Sequence, residues 1–188
     1  MKKAAAFVIL ALLAAGLSGC SVVSRLKPAA GERWYTNSYT TGYGWWDNTP
    51  PGSAAVCCSA MHRTAGGTGT YADPITVAVD YSSGSTMQFA RGTRFYVPNL
   101  RAYLITEDRT GTPSATNSRL HGGSNPHLDI WVDGRTSTAS SADNCARAIT
   151  HTGIRVIQNP KANYVVVAGP LAARNRCRPN YGNTALRR

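Results

Sequence analysis

Two aspartates stand in aromatic settings that suit work on a sugar polymer. Asp47 closes the run Gly42-Tyr43-Gly44-Trp45-Trp46-Asp47, and Asp129 lies within His127-Leu128-Asp129-Ile130-Trp131. Aromatic rings stack on the apolar faces of pyranoses, and a carboxyl group can move a proton at a glycosidic oxygen. An inverting hydrolase needs an acid and a base whose carboxyls lie about 6.5–9.5 Å apart. The acid also needs a raised pKa, which an apolar wall such as Trp131 supplies. In that scheme Asp129 is the proton donor and Asp47 the base. Asp47 has a competing structural role, because an Asp ahead of Asn48-Thr49-Pro50-Pro51 commonly caps a turn. Asp129 is harder to explain as structure, since Asp is disfavoured in mid-strand.

The segments that must position these residues read mostly as strands. Residues 75–79, 93–97, 101–106, 127–132, 154–157 and 164–168 are rich in β-branched or aromatic side chains and bounded by turn residues. A polar loop is expected over 109–126. One helix is expected over 141–150, capped by Ser140 or Ser141 and ended by Gly153. Short strands, frequent turns and a single helix argue for a mainly β fold, a small six-stranded barrel. Strand alternation puts Leu128, Ile130 and Val132 in the core and leaves His127, Asp129, Trp131 and Asp133 on one open face. There His127 orients Asp129; no Ser or Cys nucleophile motif accompanies it. One of Trp45 and Trp46 must face outward if their segment is a strand. Glu107 is expected to be solvated. The glycine-rich run 65–70 lacks the lysine and the strand–helix setting of a phosphate loop.

Lys2 and Lys3, the apolar run 4–15 and Leu17-Ser18-Gly19-Cys20 have the layout of an export signal. The cysteine at the junction resembles a bacterial lipobox, which implies cleavage before Cys20 and a lipid on its thiol. Ser21 rather than aspartate after that cysteine implies, by the same resemblance, the outer membrane. Lipid chains anchor a protein without spanning the bilayer. Export to an oxidising compartment makes Cys57, Cys58, Cys145 and Cys177 a pair of disulfides. A bond between adjacent cysteines is disfavoured, so Cys57 and Cys58 are each expected to pair with Cys145 or Cys177. A metal site at Cys57, Cys58 and His62 fits no common zinc spacing, and no metal or cofactor is expected. The formal charge is +11. Removing Lys2 and Lys3 from the twenty basic residues leaves eighteen against nine acidic ones. Such a balance in an exported protein suits anionic surfaces, and the location argues against nucleic acid.

Three segments resemble the double-psi β-barrel superfamily: expansins, family-45 endoglucanases, rare lipoprotein A and the three-aspartate domain of lytic transglycosylase A. His127-Leu128-Asp129 looks like the His-Phe-Asp signature of expansins and of the endoglucanase acid. Tyr43-Gly44 with Trp46-Asp47 resembles the tyrosine-rich first strand, which carries the catalytic base in the endoglucanases. Gly92-Thr93 to Val97, followed by 105–111, looks like the family's barrel segment with Asp108 at its aspartate position. The resemblance covers roughly residues 41–134. It departs from the pattern at Thr112-Pro113-Ser114, where the transglycosylase domain has glycines, and it shows no second module.

These readings divide the chain into a signal peptide (1–19), a lipidated tether (20–33), a double-psi barrel (34–170) and a basic tail (171–188), fixed at Cys177 and loose beyond Pro179. The expected protein is a monomeric, lipid-anchored envelope protein. It binds cell-wall polysaccharide, peptidoglycan before others, in a groove lined by Tyr43, Trp46, Asp47, Asp108, His127, Asp129 and Trp131. Asp129 donates a proton if the polymer is cut, as a glycoside hydrolase or lytic transglycosylase would cut it. The alternative is a non-catalytic, expansin-like binder or a protein-interaction scaffold.

Overall fold

Ile75-Thr76-Val77-Ala78-Val79 offers no polar face to water, and all five residues are buried. A strand buried on both sides must be flanked by neighbours and covered above and below. The computed structural model, which describes residues 26–82, 85–111 and 125–188, places it so. The signal segment, Cys20, Ser21 and Thr112-Pro113-Ser114 lie outside the described residues.

Six strands close into a barrel: β1 (Arg33–Tyr43), β2 (Ile75–Val79), β3 (Arg94–Val97), β4 (Ala102–Arg109), β5 (His127–Trp131) and β6 (His151–Gln158). Their order around the barrel is β1-β5-β2-β4-β3-β6. Two of the pairings are parallel, β1 with β5 and β2 with β4. The others are antiparallel. The chain is therefore mainly β, a closed six-stranded barrel with one α-helix among the described residues, α1 (Ala139–Ala148). A two-stranded ribbon, β7 (Ala172–Ala173) and β8 (Arg176–Cys177), lies outside the barrel.

The barrel's membership differs from expectation at one strand. Residues 164–168 form no ladder: Tyr164 makes an isolated antiparallel bridge with Arg187, and Val167 N–H donates to Arg101. Their place in the count goes to β1, whose buried polar residues Ser38 and Thr40 hide it from a hydrophobic pattern. The helix starts earlier than its serines indicated, because Thr138 is the cap and its side chain accepts from Ser141 N–H. Gly42 lets α1 lie against β1, since a Cβ there would come within 2.9 Å of the Ala146 Cα.

Covalent links also differ. Cys57 bonds its neighbour Cys58, and Cys145 bonds Cys177. The two pairs lie in different places: Cys145 is in α1 and Cys177 in β8, while Cys57 and Cys58 sit beside β4. Residues beyond Pro179 pack against the barrel rather than hanging loose. Ala185 is buried, and Arg187 reaches the buried Glu32 carboxylate at 2.6 Å. Glu32 also accepts from the amides of Ala29 and Lys161, from Trp34 Nε1 and from Tyr164 Oη. Burial works against its charge, but these bonds prevail and hold its pKa below the ordinary value.

Candidate functional site

Strand register brings the acidic residues together. Thr41 of β1 lies beside Asp129 of β5, Asp129 beside Ala78 of β2, and Ala78 beside Asp108 of β4. The two aspartates thus sit two strands apart, with backbones about 9–10 Å from each other. The small Ala78 between them leaves a hollow. A register shift in the β2–β4 ladder, between Val77 and Ala78, makes Glu107 the extra residue of a bulge and brings Asp108 opposite Ala78. Bulges commonly re-aim a side chain in this way.

The hollow is a cavity of 540 Å³ whose walls include Tyr43, Asp47, Ala78, Tyr81, Asp108, Arg109 and Asp129. Asp129 is partly exposed there. Its Oδ1 accepts from the Thr41 hydroxyl at 2.6 Å. Desolvation raises the Asp129 pKa to about 6, against the Thr41 bond and the nearby His127, and with help from the Asp47 and Asp108 charges. A carboxyl whose pKa is raised toward the working pH suits a general acid, because it holds a proton more readily than an ordinary aspartate and can still give it up.

Behind Asp129 runs a buried polar chain. Thr41 Oγ1 lies 3.0 Å from His127 Nε2, and His127 Nδ1 lies 2.8 Å from Asp80 Oδ1. The Thr41 hydroxyl has one proton to give; given to Asp129, it leaves the Thr41 oxygen to accept from His127. Asp80 also accepts from the Thr110 hydroxyl at 3.3 Å. Tyr39 covers the imidazole, with ring centroids 4.9 Å apart.

The remaining candidates separate. Asp108 Oδ1 accepts from the amides of Cys57 and Arg109, and Oδ2 from the Tyr43 hydroxyl at 3.1 Å. Burial and the surrounding carboxylates push the Tyr43 hydroxyl well above its ordinary range, so it stays a donor. Asp47 Oδ1 accepts from Gly44 N–H at 2.6 Å, a turn bond, yet the residue also lines the cavity. Trp46 is exposed and anchored by Nε1 donation to the carbonyls of Gly134 and Ser137. It lines a second hollow of 350 Å³, which shares Asp47 with the first.

The open face expected of β5 is not formed. His127 and Trp131 are buried, and Asp133 is engaged by Arg135. Trp131 packs edge-on against Tyr43, with centroids 5.3 Å apart, inside the core. Both faces of β5 are covered, so alternation separates two buried environments rather than core from solvent. Glu107, expected to be solvated, has a fully buried side chain. Its Oε1 accepts from the amides of Ala60, Met61 and His62, and its Oε2 faces Thr76 Oγ1 and His62 Nδ1. His62 Nε2 meets Asp73 at 2.9 Å, so this imidazole clips a loop to the barrel and Cys57 and Cys58 are spent on each other.

Sequence reading missed Thr41, Asp80, Tyr81 and Arg109 as site residues. The β-rich run ending at Asp80 was a usable signal for that residue, since a buried carboxylate after a buried strand needs a partner.

A family model described as the DDB_G0273701 N-terminal domain matches residues 35–178. The chain belongs to this family. A Dictyostelium discoideum relative, an uncharacterized protein named DDB_G0273701/DDB_G0273221, is 33% identical over 126 residues. The alignment covers 67% of this chain and 52% of the relative, so the chain spans about half the length of the curated relative it matches. No solved structure matches. The segment assigned to the DDB_G0273701 N-terminal domain family holds every residue of the cavity, the Asp80–His127–Thr41 chain and all four disulfide cysteines. Glu32 and Arg187 fall outside it. Among the described residues no helix is long and apolar enough to cross a membrane.

Proposed function

We propose that this barrel binds a cell-wall polysaccharide, peptidoglycan before others, across the cavity and the adjoining Trp46 hollow, with Asp129 as proton donor to a glycosidic oxygen. The observation that carries the reading is the Asp129 carboxyl itself, raised to about 6 at the wall of a solvent-reached cavity. Thr41 fixes Oδ1. Among the described residues no group bonds Oδ2, which leaves it for a substrate oxygen. Asp47 is the better base of the two other carboxyls, because one of its oxygens is bonded whereas both oxygens of Asp108 are.

The double-psi assignment belongs to the same proposal. Two parallel strand pairs in a six-stranded closed barrel support it, as does the place of Asp129 and Asp108 on neighbouring walls. Lipid attachment at Cys20 and an envelope location complete the reading, on the strength of the amino-terminal sequence.

A non-catalytic, expansin-like role is the second reading, favoured by one observation. Asp108 is saturated and Asp47 is held in a turn, so Asp129 has no fully uncommitted partner. Incubation of the full chain with peptidoglycan sacculi and with β-glucan, followed by mass spectrometry of soluble products, separates the two. Wild type should release fragments, and Asp129→Asn should release about 100-fold less or lower still. Equal inertness of both proteins on every polymer removes the enzyme reading. Retained sedimentation with the polymer would then support the binder.

A further inference from the structure

We propose that the Arg109 guanidinium, laid on Tyr81 within the acidic cavity, receives a carboxylate of the bound glycan, so that the substrate is a chain of carboxylate-bearing sugars rather than a neutral one. This deepens the reading of the cavity as a polysaccharide site and rests on it.

Arg109 ends β4, directly after Asp108. Its guanidinium carbon lies 4.7 Å from the centroid of the Tyr81 ring, and both residues line the cavity. Among the described residues seven arginines lie over aromatic rings: Arg33, Arg94, Arg101, Arg109, Arg135, Arg155 and Arg187. Arg135 and Arg187 are also neutralised by Asp133 and Glu32. Of the five left without a described carboxylate partner, only Arg109 lines the cavity.

The neighbouring aspartate does not neutralise it. Asp108 turns one oxygen to the Cys57 and Arg109 backbone amides and the other to the Tyr43 hydroxyl. No side-chain N–H of Arg109 is bonded among the described residues. A ring fixes the planar guanidinium without consuming its donors, because the contact is through the face of the cation. The fork is thereby pre-oriented for a bidentate carboxylate.

Electrostatics decide which ligand such a cation serves. A neutral sugar would be held well enough by the hydroxyl and carboxyl groups of Tyr43, Asp47 and Asp129. An anionic sugar would be repelled by Asp47 and Asp108 unless one cation received its charge, and among the described residues Arg109 is the only basic one in the wall. The excess of eighteen basic over nine acidic residues that remains without Lys2 and Lys3 would draw such a polymer from a distance, and Arg109 would set its register.

The test is calorimetric titration of the full chain with a tetrasaccharide of 4-linked hexuronic acid and with the neutral 4-linked glucose tetrasaccharide. Arg109→Gln and Arg155→Gln, the latter outside the cavity, are titrated beside wild type. Wild type should prefer the uronate. Arg109→Gln should weaken uronate binding about tenfold or more and neutral binding far less, while Arg155→Gln should change neither. Retained binding of the neutral sugar shows that Arg109→Gln is folded. Equal affinity of wild type for both sugars overturns the inference and leaves the polysaccharide reading standing. Equal weakening by both substitutions overturns it in favour of diffuse surface charge. Failure of wild type to bind either sugar overturns this inference, and the sacculus and β-glucan assay then decides separately whether the polysaccharide reading stands.

Discussion

Asp129→Asn should make this protein more stable above pH 6 and leave it unchanged near pH 4. The carboxyl's pKa rises from 3.8 to about 6 in the fold, chiefly through desolvation. A raised carboxyl pKa means that the folded state holds the proton more tightly than the unfolded chain. Stability from this group is therefore fully present below the ordinary value, falls as pH rises between about 4 and 6, and levels off above. Roughly two pH units at about 1.4 kcal/mol each give a penalty of about 3 kcal/mol at pH 8. Asn has nearly the same volume, and its Oδ1 can accept from Thr41 as the carboxylate does. The substitution removes the charge and little else. Urea unfolding with both disulfides intact, repeated from pH 4 to pH 8, should show the variant's midpoint pulling ahead of wild type with rising pH. Parallel curves across that range would refute the raised pKa, and with it the ground for Asp129 as a proton donor.

Thr41→Val removes the donor to Asp129 Oδ1 and should raise the Asp129 titration midpoint by about one pH unit, read from the side-chain carboxyl carbon by NMR. An unmoved midpoint would show that the hydroxyl does not bond the carboxylate. Cys145→Ala with Cys177→Ala opens a link between residues 32 apart and should cost about 3–4 kcal/mol in denaturant unfolding. Cys57→Ser with Cys58→Ser opens a link that encloses no chain and should cost far less; equal losses would contradict the loop-closure account. Burial opposes the charge on His62, but its bonds to Glu107 and Asp73 prevail and hold its pKa above 6.5. Its contribution is present below the ordinary histidine value and is lost as pH rises through the folded one. His62→Gln should flatten the pH dependence of stability on the alkaline side of 6.5, and an unchanged slope there would sink the assignment.

What the sequence made legible was local. Ile75–Val79 carries its own apolar run and stop signals, and the strand has those bounds. Residues 164–168 carry the same signal, yet their amides go separately to the Tyr103 hydroxyl, to Arg101 and to the carboxyl-terminal segment, and no neighbouring strand pairs with them. Strand β1 reads poorly because Ser38 and Thr40 are buried polar residues; Thr40 gives its hydroxyl to the Ile149 carbonyl. In the site, Asp129 was legible because an aspartate in mid-strand is anomalous on its own. Thr41 was not, since its bond to Asp129 spans 88 residues; Asp80 carried a signal of burial but none of its partner His127, 47 residues away. The adjacent cysteines failed for a similar reason: pairing each with a distant partner requires Cys57 and Cys58 near α1, and the bonds of their amides to Asp108 and Glu107 hold them at β4.

Glu107 and Asp129 show why burial alone does not identify an acid. Glu107 is the more deeply buried of the two, yet its pKa is lowered, while that of the partly exposed Asp129 is raised. Desolvation pushes both upward. The difference lies in the donors that answer it. Three amides, a hydroxyl and an imidazole converge on Glu107, more than enough to favour its charge. Asp129 has one hydroxyl and faces two other carboxylates, so its charge is left undercompensated. The register shift at Glu107 produces this contrast, since it hands Glu107 to the loop amides of 60–62 and leaves Asp108, across Ala78, to face Asp129. Had β4 paired with β2 without that extra residue, Glu107 would lie across Ala78 from Asp129, and its amide-bound clip would be lost. The polarity of the cavity and the anchoring of the 60–62 loop are thus set by one irregularity in one ladder.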